Sequence, residues 1–295
     1  MKREERQLLS QHDWPHRQAS RFVSSGGLRW HLQDMGEGPV LVMLHGTGAS
    51  THSWAGLAPL LARSYRVLAI DLPGHGFSSV GDSYGMSLPG MASLVAGLLD
   101  ELDLRPALVV GHSAGAAVLV RMCLDGSIEP AGLVSINGAL LPLPGLSRRI
   151  YPSAARLLAS LPVLPQLVAR HGAQRLFIDQ LIRQTGSSLS QAELEHYRSL
   201  VGSAKHVNGT IQMMANWNLD SLERELPGMS TPLFLIACRK DKAVPFTQAT
   251  RLKAQLPLAD LQVLPDLGHL GHEENPALFA KLIGEISAEL GLQPA

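Results

Sequence analysis

The chain predicts an α/β fold, a mostly parallel sheet with helices packed on both faces. Three observations predict it. Short, nearly continuous apolar runs recur along the 295 residues, as strands buried on both faces require. Stretches of helical periodicity alternate with those runs. Hydrophobic residues make up 45% of the chain and charged residues 17%, which permits a sizeable core and argues against wholesale disorder.

Each element follows in order. Residues 1–20 read as a polar leader, and Met1-Lys2-Arg3-Glu4-Glu5-Arg6 lacks the apolar segment of a secretory signal. Residues 28–33 alternate as a strand, and Gly36-Glu37-Gly38-Pro39 makes a turn. Residues 40–44 are a continuous apolar strand, 54–62 a helix, and 66–70 the next strand, which ends at Asp71-Leu72-Pro73-Gly74-His75-Gly76. A helix is expected over 88–102 and strands over 107–110, 132–136, 232–237 and 261–264. Residues 276–290 open on a proline, suited to a helix N-terminus, and carry an amphipathic pattern. Residues 138–228 break the rhythm. They read as helical, rich in Leu and Pro, and inserted over the carboxyl edge of the sheet, where open α/β sheets bind ligands. The domain reading is a core of 21–137 and 229–295 with a helical cap of 138–228.

The motif with most chemistry is Gly111-His112-Ser113-Ala114-Gly115. An apolar strand enters it and a small-residue helix leaves it, the context of a serine on a sharp strand-to-helix turn. The two glycines leave room where a Cβ would clash. A serine hydroxyl is a weak nucleophile and needs a base, itself oriented by an acid. Asp241 is the acid candidate. A lone aspartate among lysines reads as a solvated loop residue, but this one follows strand 232–237 on the correct edge of the sheet. His269 is the base candidate, beside Gly268 after the last strand, with His272 as its rival. His112, on so sharp a turn, is expected to shape the elbow and not to act as base. Two backbone N–H groups are expected to hold a developing oxyanion: Ala114, after the nucleophile, and Thr47, in the loop His45-Gly46-Thr47-Gly48. His45, Gly46, Gly48, His112 and Trp217 complete the candidate substrate pocket. His45 is expected to hold the loop by hydrogen bonds.

The remaining composition is exclusionary. The formal net charge is zero, which argues against a nucleic-acid partner. The histidines show no metal-ligand spacing, so neither a metal nor a cofactor is expected. Cys123 and Cys238 lie far apart in apolar segments and read as buried thiols. No run of about 18 uncharged apolar residues makes a convincing span. The expected location is cytoplasmic, soluble or peripheral to the inner membrane.

Together the His45-Gly46-Thr47-Gly48 loop, the segment from Asp71 to Ser78, the elbow, Asp241 with Val244-Pro245, and Gly268-His269 with Glu274 and Pro276 resemble the α/β-hydrolase superfamily. That resemblance implies an eight-stranded, mostly parallel sheet with an inserted helical cap, and a Ser113, Asp241, His269 triad. A serine nucleophile departs from the dehalogenase and epoxide hydrolase branches, which use aspartate. A narrower resemblance rests on Trp14-Pro15-His16-Arg17, Gly26-Gly27-Leu28-Arg29-Trp30-His31, the segment from His45 to Trp54, and Trp217-Asn218-Leu219-Asp220. These are similar to the magnesium-chelatase accessory proteins of bacteriochlorophyll synthesis. The resemblance implies a place in photosynthetic pigment synthesis and magnesium chelatase as a partner.

The cap segment adds a hint of substrate. Between 138 and 185 lie Arg148, Arg149, Arg156, Arg170, Arg175 and Arg183 against Asp179, interleaved with leucines. Such a surface suits an anionic bilayer or an apolar molecule bearing carboxylates, such as a tetrapyrrole. The plain alternative is leucines packed on the sheet with solvated arginines. The leading expectation is a serine hydrolase acting on an apolar ester through an acyl-enzyme. The alternatives are a non-catalytic tetrapyrrole-binding or chelatase-assisting protein, and a carbon–carbon bond hydrolase or general esterase.

Overall fold

Eight strands form one sheet in the order β1-β2-β4-β3-β5-β6-β7-β8. In this computed structural model, residues 14–142, 160–161, 163–172 and 174–292 are described. The strands are β1 (Ser20–Ser25), β2 (Leu28–Met35), β3 (Val40–Leu44), β4 (Arg66–Ile70), β5 (Leu108–His112), β6 (Gly132–Ile136), β7 (Leu233–Cys238) and β8 (Ala259–Leu264). β1 pairs antiparallel with β2, and β2 antiparallel with β4. From β4 through β3, β5, β6 and β7 to β8 every pair is parallel. Parallel pairing needs crossovers, and the helices supply them.

The period-two alternation of the central strands sorts their side chains between two apolar layers. Val42, Leu44, Val109, Leu233 and Leu235 face a layer built with α2 (Leu88–Glu101), α3 (Ala114–Leu124) and α9 (Phe246–Gln255). Leu41, Met43, Val110, Phe234 and Ile236 face the other, built with α1 (Ala58–Leu61) and α11 (Pro276–Glu289). Among the described residues, five further helices lie between β6 and β7: α4 (Leu164–Gly172), α5 (Arg175–Gln184), α6 (Gln191–Val201), α7 (Ala204–Asn216) and α8 (Asp220–Glu225). A short α10 (Gly271–Glu274) follows the loop after β8.

The structure corrects two expectations. The leader does not extend to residue 20. Trp14 is buried and packs edge-on to Phe77, with ring centroids 4.9 Å apart. The Gln33 amide donates to Pro15 O, and a 3-10 turn at Arg17–Ala19 leads into β1. Burial of a large indole outweighs the polarity of its neighbours. β1 is a short, polar edge strand with little alternation to find. It closes on β2 through Gly26 and Gly27, both at positive φ, the two-residue turn whose twist matches a hairpin. The helix expected over 54–62 divides into a 3-10 turn at Thr51–Trp54 and the four residues of α1, with Pro59 in its first turn. The two cysteines are separate thiols, and burial pushes them up to about 11 for Cys123 and about 12 for Cys238.

Candidate active site

Ser113 stands between β5 and α3 at φ 51° and ψ −118°. Positive φ is costly for a residue with a Cβ, and such strain recurs where a side chain must be aimed. Both elbow glycines are forced by neighbours. A Cβ on Gly111 would strike the Ala116 backbone, and one on Gly115 would strike Leu44 O at the end of β3. His112 is buried, whereas Ser113 is partly exposed. Ser113 N–H donates to Ile136 O at 3.0 Å, which ties the elbow to β6. Ala114 opens α3, so its N–H has no partner within the helix.

His269 and Asp241 meet. His269 Nδ1 lies 2.7 Å from Asp241 Oδ2, and both residues are buried. Asp241 is no solvated loop residue. Its Oδ1 accepts the N–H groups of Ala243 and Val244, each at 2.8 Å, which orients the carboxylate. With Nδ1 donating to Asp241, the Nε2 of His269 is left as the basic atom. His112 ties this base to the elbow. Its Nε2 donates to His269 O at 2.9 Å, and the two rings lie 4.7 Å apart. His272 points elsewhere, with Nε2 2.9 Å from Ser53 Oγ. Burial and the nearby His269 lower His272 to about 3, and His112 is also held neutral, first by burial.

The glycine-rich loop is a tight turn. Ala49 N–H donates to Gly46 O at 3.1 Å and Gly48 has φ +78°, as the third position of a type II turn requires. Gly46 abuts the elbow; a Cβ there would come within 3.0 Å of Ser113 Cβ. Thr47, next in the chain, is exposed. His45 holds this loop as expected. Leu72 N–H donates to His45 Nε2 at 3.0 Å, and Nδ1 donates to Gly46 O at 2.8 Å. Burial lowers its basicity, so both bonds belong to the neutral ring. Trp217 follows α7 and packs half-buried against the apolar layer that contains Ala114 and Met213.

Several supporting residues were not foreseen. Asn137, after β6 at φ 45°, donates to Gly268 O at 3.1 Å and His269 O at 2.8 Å, and accepts Cys238 N–H at 2.7 Å. One amide thus joins three strand ends. The turn after α5 reaches the acid and base loops: Thr185 O accepts Lys242 N–H at 3.1 Å and His269 N–H at 3.3 Å. Ser187 Oγ accepts Leu270 N–H at 2.8 Å. Gly186 is forced, since a Cβ there would strike Lys240 O. The Glu273 side chain is only 5% exposed and accepts Ser53 Oγ–H at 2.5 Å and the Tyr197 hydroxyl of α6 at 2.6 Å; burial pushes its carboxyl up to about 8. Asp71 accepts Thr51 N–H and Phe77 N–H and pairs with His31 Nδ1 at 2.7 Å. Its pKa is held well below the carboxylate range by His31 against the opposing cost of burial. An asparagine placed directly after a predicted strand was the available signal for Asn137.

Among the described residues, no group of three or more His, Cys, Asp or Glu is arranged to hold a metal ion. No described helix is long and apolar enough to cross a membrane. Of the cap arginines, Arg148, Arg149 and Arg156 lie outside the described residues, as do Leu143, Leu146, Ile150, Leu157 and Leu158. Arg170, Arg175 and Arg183 are exposed.

Comparison with known proteins agrees with this fold. The chain is 40% identical over 263 residues to the magnesium-chelatase 30 kDa subunit of Rhodobacter capsulatus, covering 88% of this chain and 92% of that one. It is 27% identical over 275 residues to a 2-hydroxy-6-oxononadienedioate/2-hydroxy-6-oxononatrienedioate hydrolase of Cupriavidus pinatubonensis, covering 90% and 93% of the two chains. An alpha/beta hydrolase fold protein from Burkholderia ambifaria superposes with a TM-score of 0.77 at 24% identity, over 90% of this chain and 97% of that one. Residues 41–282 match the profile of the alpha/beta hydrolase family, and with that match running from β3 through β8 and taking in the elbow and both partner loops, the chain belongs to this family.

Proposed function

We propose that this protein is a serine hydrolase that works through an acyl-enzyme. Ser113 Oγ attacks the acyl carbon as His269 Nε2 takes its proton. The leaving group departs as the bond to the acyl carbon breaks and receives that proton. Water, deprotonated in turn by His269, then releases the acid and regenerates Ser113. Asp241 orients His269 and stabilises its protonated form. Thr47 and Ala114 N–H groups hold the oxyanion. The observations that support this reading are the 2.7 Å Asp241–His269 bond and the His112 bond to His269 O, which ties that pair to the turn carrying Ser113 at positive φ.

The substrate follows from the surroundings. We assign an apolar acyl compound of the magnesium-tetrapyrrole pathway, such as a porphyrin ester, with magnesium chelatase as the partner protein and bacteriochlorophyll synthesis as the setting. Support comes from the relative at 40% identity and from the exposed arginines near apolar helices. Exposed Leu167, Leu176, Phe177 and Leu181 on α4 and α5, beside Arg170, Arg175 and Arg183, support peripheral contact with an anionic membrane.

A fluorophosphonate probe tests the chemistry. Wild type is expected to be labelled and Ser113→Ala not. Folded wild type that takes no label would sink the catalytic reading. The name of the 40% relative would then favour a protein that assists the chelatase without catalysis. Relatives at 26–27% identity named as dienoate hydrolases favour one further substrate class, and loss of the dienoate chromophore would identify it.

A further inference from the structure

The inserted helix α7 lies directly on the 46–49 turn, whose Gly46 abuts Ser113, and on the neighbouring 74–76 loop. His206, Gly209, Thr210 and Met213 share one face of it, at the three- and four-residue spacing of neighbouring turns. Each meets the same region. His206 Nε2 lies 3.1 Å from Gly48 O. The Gly76 N–H donates to His206 Nδ1 at 3.0 Å. Gly209 crosses Gly74 so closely that a Cβ on Gly74 would lie 2.8 Å from Gly209 Cα. A Cβ on Gly48 would lie 3.8 Å from the Thr210 methyl. Thr47 Oγ1 donates to Met213 Sδ at 3.6 Å.

These bonds settle the tautomer of His206. A backbone N–H can only donate and a carbonyl can only accept, so Nδ1 is the acceptor and Nε2 carries the hydrogen. The ring spans two loops of the core from a helix that is not part of the sheet. Its carbonyl partner, Gly48, is the residue at φ +78° that sets the type II turn. Thr47 N–H, on the other side of that turn, takes its direction from the same peptide geometry.

We propose that His206 is a positioning residue for the oxyanion turn: its Nε2–H to Gly48 O bond holds the 46–49 turn in the form that aims Thr47 N–H at the site, so that α7 must be seated for the site to be complete. This deepens the hydrolase reading and rests on it for its catalytic consequence. Burial keeps the ring neutral, pushed down to about 4, so Nδ1 stays an acceptor for Gly76 N–H across the ordinary pH range while Nε2–H donates to Gly48 O.

Two conservative variants separate the two bonds. His206→Gln places an amide N–H where Nε2–H stood and retains the link to Gly48. His206→Asn places an oxygen where Nδ1 stood and retains only the link to Gly76. Inactivation of Ser113 by the fluorophosphonate is followed for its maximal rate and its half-saturating concentration, and amide hydrogen exchange is followed over residues 46–50. His206→Asn and His206→Ala are expected to lower the maximal rate by about tenfold or more, since one misplaced oxyanion donor costs about a hundredfold. Half-saturation should stay within about twofold, and exchange over 46–50 should rise. His206→Gln should keep the rate within about threefold and leave exchange near wild type. Equal loss in the Gln and Asn variants, or unchanged exchange at 46–50 in both, overturns the proposal. If wild type takes no label, the hydrolase reading alone fails, and the exchange comparison still decides whether His206 holds the turn.

Discussion

The inserted helices divide into two halves that meet opposite surroundings. α6 and α7 bury Leu194, Tyr197, Leu200, His206, Val207 and Met213, and they bond to the core through Tyr197–Glu273 and His206–Gly48. α4 and α5 bury Ile178 and Ile182 but leave Leu167, Leu176, Phe177 and Leu181 in the open, with Leu176 83% exposed. Both halves are amphipathic helices in the sequence. The difference is polar. The docked half carries side chains within its helices that hydrogen-bond the core, whereas the other half reaches the core loops through the Thr185–Ser187 turn after α5. A buried donor or acceptor left alone costs about 1–3 kcal/mol, so the position of α6 and α7 is well specified. The outward half has apolar contact on one face only. Its other face leaves those large apolar side chains exposed to solvent.

The comparison can be broken from the site outward. Asp241→Asn leaves the shape of the acid loop but places an amide opposite His269 Nδ1. It is expected to slow fluorophosphonate labelling of Ser113 by about 10⁴-fold, as removal of a triad carboxylate does elsewhere. A loss below tenfold would mean that Asp241 does not orient the base.

Gly209→Val tests the docked half. Its side chain would collide with the Gly74 backbone, an overpacking that costs about 1–3 kcal/mol. The melting temperature should fall by about 5 °C. A valine in the outward half at Gln180, which is exposed, should change it by about 1 °C at most. Similar effects at the two sites would erase the distinction.

Glu273 sharpens it by pH. An unfolded glutamate ionises near about 4.3, whereas the folded one is held neutral up to about 8. Between these values the unfolded chain binds fewer protons, so stability falls as pH rises toward 8. His272 and His206 act in the opposite direction. Lowered to about 3 and about 4, they are neutral when folded and reduce stability as pH falls below about 6.5. Glu273→Gln is expected to remove the Glu273 contribution to the fall in stability between about pH 4.3 and about pH 8, most visibly between about 6.5 and 8 where the buried histidines no longer act. An unchanged slope between about 6.5 and 8 in differential scanning calorimetry would show that Glu273 is ionised.

The smallest effect is expected in the outward half. Replacing Leu176 and Phe177 together by Ser should leave the melting temperature within about 2 °C. Co-sedimentation with phosphatidylglycerol vesicles should fall several-fold, because interfacial binding follows buried apolar area. Equal binding of wild type to neutral and anionic vesicles, with no salt dependence, would remove the arginines from the argument.

How much of this was legible follows from where the signals lie. β3, β4 and β6 match their predicted limits because a strand buried on both faces reads as a nearly continuous apolar run. The elbow was legible because its backbone excludes Cβ atoms at Gly111 and Gly115, which narrows the residue choice at two positions in five. β1 and the structured part of the leader were not, because a polar edge strand has no alternation and one tryptophan is a weak local signal. Tyr197, His206 and the Thr185–Ser187 turn were invisible for another reason. Each bonds to a residue far along the chain, as His206 does to Gly48 across 158 positions.

Local covalent geometry and side-chain periodicity are properties of the chain itself. They sufficed for the alternating α/β order, the strained serine turn, and Asp241 and His269 as residues that follow strands. Tertiary structure alone decided that His269 faces Asp241 while His272 faces Ser53, and that α6 and α7 meet the core through side chains within their helices while α4 and α5 leave an apolar face in the open. Hydrogen bonds require atoms within about 3 Å at the right angle, a condition set only when distant segments have packed.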